Sequence, residues 1–336
     1  MPTISRVIIF GDSVSDIGNM KARSLSKLPM VQLNKWGRFS DGRNWVDYFW
    51  ESLGGKMFDP NDVKATLAES KRHMSLTTAG SGGQRKMELV NYAEGGAVGW
   101  HKSDGESWGG YFTSSLLSTL KEQVKKYKAE RDKKWDSVFL DKETLFIIWI
   151  GANDVVTVNR EPEAMPGVAE YIFSQACALL DEAKGSHVVI IGLPDPQYMP
   201  RFSPKDSASL RKKISAGARN FNNRLSELVD TDVKFNYLPT RSTIEFFDIG
   251  QVLGPKFLAE EGFAPFAQPK KFKKGDKVGK LIETAPLLQY TDTALDEDFD
   301  FGSVSDLLHP TEGVYSTISD VVTAYLSKEC HFSFGR

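Results

Sequence analysis

Apolar positions along this chain follow two rhythms. Short unbroken runs of β-branched and aromatic residues predict strands buried on both faces, and longer segments with apolar side chains every three or four positions predict helices packed on one side. RVIIF (6–10) is the first such strand, and NWVDYFWESL (44–53) an amphipathic helix with its aromatics on one side. MELVNYAEGGA (87–97) reads as a strand ending in a glycine-rich turn. Segment 115–134 reads as a helix, with Leu116, Leu117, Leu120 and Val124 at helical spacing and a charged outer face. TLFIIWIGAND (144–154), the most apolar run of all, predicts a central parallel strand. Helix 166–184, strand HVVIIGLPD (187–195), helix 207–230, strand KFNYLPT (234–240) and helix 311–328 complete the series. Repeated alternation of strand and helix predicts an α/β sandwich with a mostly parallel sheet.

Three stretches interrupt that rhythm. WGRFSDGRN, between the first strand and the first helix, has a loop's composition, and the polar segment 59–86 reads as an exposed excursion. Region 250–300, with several prolines and a dense lysine run, predicts an insertion or lid on a single domain spanning 1–336.

Composition narrows the function classes. A chain of 336 residues with 40% hydrophobic positions can bury a large core. Its formal net charge of −2 and pI near 6.3 offer no global attraction to nucleic acid. Cys177 and Cys330 belong to no CxxC or Cys/His cluster, which argues against structural zinc, and a disulfide between them is open but unsupported by the sequence. No run of 18 apolar residues predicts a membrane span. No cleavable signal pattern precedes the first strand, so the expectation is a protein that is cytoplasmic, exported without such a signal, or present here as the mature form of a secreted enzyme.

Loops at the carboxyl ends of parallel strands converge on one edge of a sheet, and ligands bind there. Four small polar stretches map to that edge: Gly11-Asp12-Ser13, Asn91 to Gly96, Gly151 to Asp154, and the loop leading to SDLLHPTEG. A serine becomes a nucleophile when a base takes its proton, and the base works best when a third group fixes its tautomer. Of the five histidines, His309 lies three residues after Asp306, a spacing that lets a carboxylate reach the imidazole. His73 and His101 lie in polar loop-like stretches, His187 precedes a strand and His331 is nearly terminal. Donors for a developing oxyanion are available in the Ser13 N–H, a glycine N–H of EGGA and the Asn153 amide. Each piece has a plainer reading when taken alone. Ser13 is a helix cap, Asp306 and His309 a solvated turn, Asn153 and Asp154 an Asx-turn, and Gly95-Gly96 a tight turn. Asp12 is expected to hydrogen-bond the turn that presents Ser13.

In this order, FGDSVSDIGN, NYAEGGA, IGAND and DLLHP resemble the four sequence blocks of the GDSL or SGNH family of serine esterases and lipases. WGRFSDGRNWVDYF is similar to the branch containing bacterial thermolabile haemolysins, lysophospholipases and glycerophospholipid:cholesterol acyltransferases. The resemblance implies a flavodoxin-like three-layer α/β/α sandwich, the SGNH hydrolase fold, with no required metal or cofactor. It implies Ser13 as nucleophile, a triad completed by Asp306 and His309, and an oxyanion hole made by Ser13, Gly96 and Asn153, with Gly95 the alternative to Gly96. The first block departs from the family by carrying Val14 where the name-giving motif has leucine, and the lysine-rich stretch before the last block has no counterpart in it.

The implied substrate is an acyl ester of a lipid, with water or a sterol as acceptor. Trp100, Trp108, Tyr111 and Phe112 either line an acyl groove or pack under a loop. Phenylalanines and lysines interleaved over 256–280 form either a peripheral membrane contact or a solvated face. The competing functions are a carbohydrate or small-molecule acetyl esterase with the same triad, and a non-catalytic binding protein on the same fold. A nucleotide-binding module is disfavoured because Gly275 and Gly279 in KKGDKVGKL lack phosphate-loop spacing, and the absence of a GxSxG elbow at Ser13 argues against the α/β-hydrolase fold.

Overall fold

The structure, a computed structural model, describes residues 2–23, 33–34, 36–40, 42–56, 73–80, 83–100, 118–134, 143–199, 202, 208–233, 242–251, 253–261 and 309–334. Its strands are β1 (Thr3–Ile4), β2 (Arg6–Gly11), β3 (His73–Gly80), β4 (Gly83–Asn91), β5 (Thr144–Trp149), β6 (His187–Ile191), β7 (Thr243–Phe247) and β8 (Ser333–Phe334). Its helices are α1 (Trp45–Ser52), α2 (Leu120–Lys134), α3 (Ala152–Val156), α4 (Met165–Glu182), α5 (Ala208–Leu228), α6 (Pro255–Glu260) and α7 (Glu312–Lys328).

Six strands form one sheet in the order β3-β4-β2-β5-β6-β7, and β1 pairs with β8 in a separate two-residue parallel ladder. Every neighbouring pair in the large sheet is parallel except the β3–β4 hairpin. Every residue of β2, β5 and β6 is buried, as expected of central strands covered on both faces.

Side-chain alternation splits these strands between two cores. Ile8, Phe10, Phe146 and Ile148 face the layer formed by α2, α4 and α5, whereas Val7, Ile9, Leu145, Ile147 and Trp149 face α1 and α7. The result is the three-layer α/β/α sandwich that the resemblance implies. Cys177 packs against the first core and Cys330 against the second, so the two side chains sit on opposite faces of the sheet and form no disulfide with each other.

Two elements differ from the expectation. Residues 73–80, read as part of an exposed excursion, form β3. Its His73, Ser75 and Thr77 are exposed while Met74 and Leu76 lean on the core, so the hydrophobic signal is that of a half-covered edge strand. The expected strand at 234–240 lies outside the described residues, and the last strand of the sheet is β7, whose edge position leaves only Ile244 and Phe247 buried. Most of region 250–300 also lies outside them; its described part is a 3-10 turn leading into the short helix α6.

Candidate active site

Three adjacent strands, β4, β2 and β5, end side by side and deliver three of the four blocks to one edge. At the end of β2, the buried Gln123 of α2 accepts from the Gly11 N–H at 2.9 Å and donates to the Gly11 carbonyl at 2.7 Å, closing the strand's hydrogen-bonding. The chain then turns sharply. Asp12 Oδ1 accepts the Val14 N–H at 3.1 Å and the Asp12 carbonyl accepts the Ser15 N–H at 3.1 Å, an Asx-turn with Ser13 at its tip. Trp45 Nε1 donates to Ser15 Oγ at 3.0 Å and Asn91 donates to the Ser15 carbonyl at 2.8 Å, fixing the turn from both neighbouring elements. Ser13 itself retains 7% of its surface, and its Oγ lies 2.6 Å from His309 Nε2.

The glycine turn after β4 is clamped by two buried aspartates. Asp16 Oδ2 accepts the N–H of Gly95 at 2.8 Å and of Met20 at 3.0 Å, while Oδ1 accepts those of Gly18 at 2.7 Å and Asn19 at 2.6 Å. From the other side Asp154, fully buried, accepts the Gly99 N–H at 2.7 Å and pairs with Arg160 Nε at 3.0 Å, and Arg160 also donates to the Trp100 carbonyl at 2.7 Å. Asn153 donates to the Ala97 carbonyl at 3.0 Å and accepts from the Thr157 hydroxyl at 2.8 Å. With the Gly95 N–H committed to Asp16, the next N–H in the turn is that of Gly96. Gly96 has φ of 76°, a left-handed conformation that glycine adopts without strain, and its N–H has no acceptor among the described residues. The Ser13 N–H is likewise open among them.

Electrostatics at the edge are set by burial. Burial pushes the Asp12 carboxyl up to about 7, against the pull of the Val14 N–H and of the nearby His309. Asp154 is also raised by burial, with Arg160 and the Gly99 N–H acting in the opposite direction. The expected site residues Ser13, Gly96, Asn153 and His309 are all described at this edge; Asp306 lies outside the described residues.

Other histidines have structural surroundings. His187 approaches Thr243 Oγ1 at 3.0 Å and packs on Phe332, with burial pushing it down to about 4. His73 lies 3.4 Å from Glu88 at the sheet edge, and His101 falls outside the described residues. Trp100 packs on Tyr171 and beneath the Arg160 guanidinium, in keeping with the plainer reading of that residue, while Trp108, Tyr111 and Phe112 lie outside the described residues. Of the 256–280 stretch, Phe257 packs against the second core, and 262–280 are outside the described residues. Among the described residues no cluster of His, Cys, Asp and Glu is arranged to hold a metal, and no helix is long and apolar enough to cross a membrane.

The sequence pointed to no role for Gln123 and only to an Asx-turn for Asp154, and the clamps that Asp16 and Asp154 place on the glycine turn were not foreseen. Gln123 did leave a signal there: it shares the helical face of Leu120 and Val124, a polar residue on an otherwise apolar stripe.

Fold and site together define a three-layer α/β/α sandwich with a serine–histidine pair at the carboxyl edge of its parallel strands. The chain belongs to the GDSL-like Lipase/Acylhydrolase family, whose profile matches residues 7–322. It is 24% identical over 217 residues to the phosphatidylcholine-sterol acyltransferase of Aeromonas hydrophila, covering 64% of this chain and 52% of that protein. It is 28% identical over 202 residues to the thermolabile hemolysin of Vibrio parahaemolyticus, covering 59% of this chain and 36% of that one. The matched part thus spans about half of the first relative and about a third of the second. The crystal structure of the lipase Lip_vut3 from a goat rumen metagenome aligns over 96% of this chain and 97% of its own, with 11% identity and a TM-score of 0.39.

Proposed function

We propose that the protein cleaves acyl esters of lipids, as a phospholipase A or lysophospholipase, by a two-step transfer through Ser13. The observation that carries this reading is the 2.6 Å contact between Ser13 Oγ and His309 Nε2, the separation at which the imidazole takes the hydroxyl proton as Oγ attacks the ester carbonyl. Asp306, three residues before the histidine, is the group assigned to hold the imidazole's tautomer. The tetrahedral oxyanion is received by the N–H groups of Ser13 and Gly96 and the amide of Asn153. One hydrogen of the Asn153 amide is donated to the Ala97 carbonyl, which leaves the second for the oxyanion. His309 then returns the proton to the leaving alcohol, and water releases the acyl group; an alcohol such as a sterol in the water's place makes the same intermediate a donor for transfer.

Lipid specificity is supported by the names of the two relatives, one a phosphatidylcholine-sterol acyltransferase and the other a thermolabile hemolysin. The test is product release from a phospholipid and a lysophospholipid, with and without cholesterol, for the wild-type chain and Ser13→Ala. Fatty acid or sterol ester that disappears in Ser13→Ala is the expected result, and the dominant product identifies the acceptor. Activity confined to short acetyl esters would replace the lipid by a small-molecule substrate, and equal activity in Ser13→Ala would remove Ser13 from the reaction.

A further inference from the structure

The loop WGRFSDGRN belongs to none of the four blocks, yet one of its side chains touches two of them. Phe39 is 8% exposed, and its ring centroid lies 5.0 Å from that of the His309 imidazole with the planes inclined by 34°. The far edge of the same ring occupies the space beside Gly95: a β-carbon there would overlap Phe39 Cε2 and Cζ. A single ring is therefore wedged between the imidazole that meets Ser13 and the turn that carries the Gly96 N–H.

What surrounds Phe39 keeps that ring from moving independently. The preceding Arg38 is buried and forked on Asp47 of α1, at 3.0 Å through Nε and 2.6 Å through Nη2, and its Nη1 donates to the Ile17 and Trp36 carbonyls at 2.8 and 2.7 Å. Asn34 closes the loop on itself by donating to the Ser40 and Gly42 carbonyls at 3.0 and 2.8 Å while accepting the Trp36 and Arg38 N–H groups, both at 3.0 Å. The loop is also tied to the helix that follows His309. Tyr315 donates to the Phe39 carbonyl at 3.3 Å, and Glu312 accepts from Arg43 Nε at 2.8 Å and from the Tyr48 hydroxyl at 2.9 Å.

We propose that Phe39 is a positioning residue for His309: its ring sets the plane of the imidazole relative to Ser13 and keeps its π-system close to a ring that becomes cationic as the proton is transferred. The inference depends on His309 acting as the base. A leucine in the same place fills the wedge without the flat surface, so the imidazole rocks away from Ser13 Oγ. An error of about 1 Å in such a contact lowers turnover by up to about 100-fold.

The experiment compares Phe39→Leu, Phe39→Met and Phe39→Tyr with the wild-type chain and His309→Ala. Hydrolysis of a soluble p-nitrophenyl ester gives kcat and KM, normalised to folded protein measured by near-UV circular dichroism and thermal melting. The expected result is a kcat lowered about 10- to 100-fold in Phe39→Leu and Phe39→Met at little-changed KM, with Phe39→Tyr restored to within about three-fold of wild type. Methionine keeps much of the volume and supplies a readable variant where leucine lowers the yield of folded protein. Unchanged kcat in both aliphatic variants, alongside an inactive His309→Ala, would overturn the positioning role and leave the base in place. An equal loss in Phe39→Tyr at a wild-type melting temperature would also overturn it, because the hydroxyl at Cζ is then accommodated beside Gly95 and the aromatic plane is intact. Full activity in His309→Ala would overturn this inference together with the reading of His309 as base.

Discussion

The two halves of the site are held by different physics. On the nucleophile side, the Ser13 turn and the glycine turn are fixed by buried carboxylates and amides bonded to backbone: Asp16 to Gly95, Asp154 to Gly99, Gln123 to Gly11 and Asn91 to Ser15. On the base side, His309 is approached by an aromatic ring and its helix is tied down by the partly exposed Glu312–Arg43 pair. Buried hydrogen bonds to backbone cost a great deal to break, whereas a half-exposed ion pair contributes little. The proposed nucleophile and oxyanion donors are thus held by buried hydrogen bonds at the sheet edge, and the proposed base by ring packing and by the helix that follows it.

Ser13→Ala tests the rigid half most severely, with kcat expected to fall on the order of 10⁴- to 10⁶-fold while the melting temperature holds, read from ester hydrolysis and a thermal melt. Asn153→Ala should lower kcat by about 10²- to 10³-fold with a smaller change in KM, the signature of a donor that matters most to the oxyanion. Arg160→Ala strips the counter-charge from the buried Asp154 and should destabilise the fold by about 3–5 kcal/mol, measured as a lower urea midpoint. The corresponding change on the base side, Glu312→Gln, should cost only about 0.2–1 kcal/mol by the same urea measurement. Equal losses for these last two would erase the distinction between the halves.

A pH titration of stability sharpens the comparison further. The Asp12 carboxyl is raised from 3.8 to about 7 in the folded chain, so the folded state holds a proton that the unfolded state has lost between those values. Its contribution to stability is complete below pH 3.8 and is lost as the pH rises to about 7. In Asp12→Asn, that part of the decline should disappear from urea midpoints measured across the window. An unaltered profile would show that Asp12 carries no such linkage.

Legibility in the sequence followed the kind of burial. The β2, β5 and β6 strands announced themselves because both faces are covered and their residues form unbroken apolar runs, and α1 and α7 because one stripe of each meets the sheet. Strand β3 escaped because His73, Ser75 and Thr77 face solvent at the edge, and β7 because the outermost parallel strand buries only two side chains. The serine, histidine, asparagine and glycine proposed for the site stood out because their chemistry is unusual at strand ends, and the fold brings these four to one edge; Asp306 lies outside the described residues. Asp16 and Phe39 were not, since their importance lies in partners 79 positions away at Gly95 and in His309 respectively, which only the folded chain brings near.

Ser13 and His309 meet across 296 positions of sequence, and that separation governs when the chain becomes reactive during synthesis. A nascent chain leaves the ribosome with the nucleophile turn first, the glycine turn next and the Asn153 segment third, all able to assemble around β2 as they emerge. Helix α7, which begins three residues after His309, follows well over a hundred residues later and packs with α1 against the sheet in the second core. Until then the growing polypeptide carries Ser13 without His309 beside it, so the proposed ester-cleaving pair forms only after the segment bearing His309 has emerged.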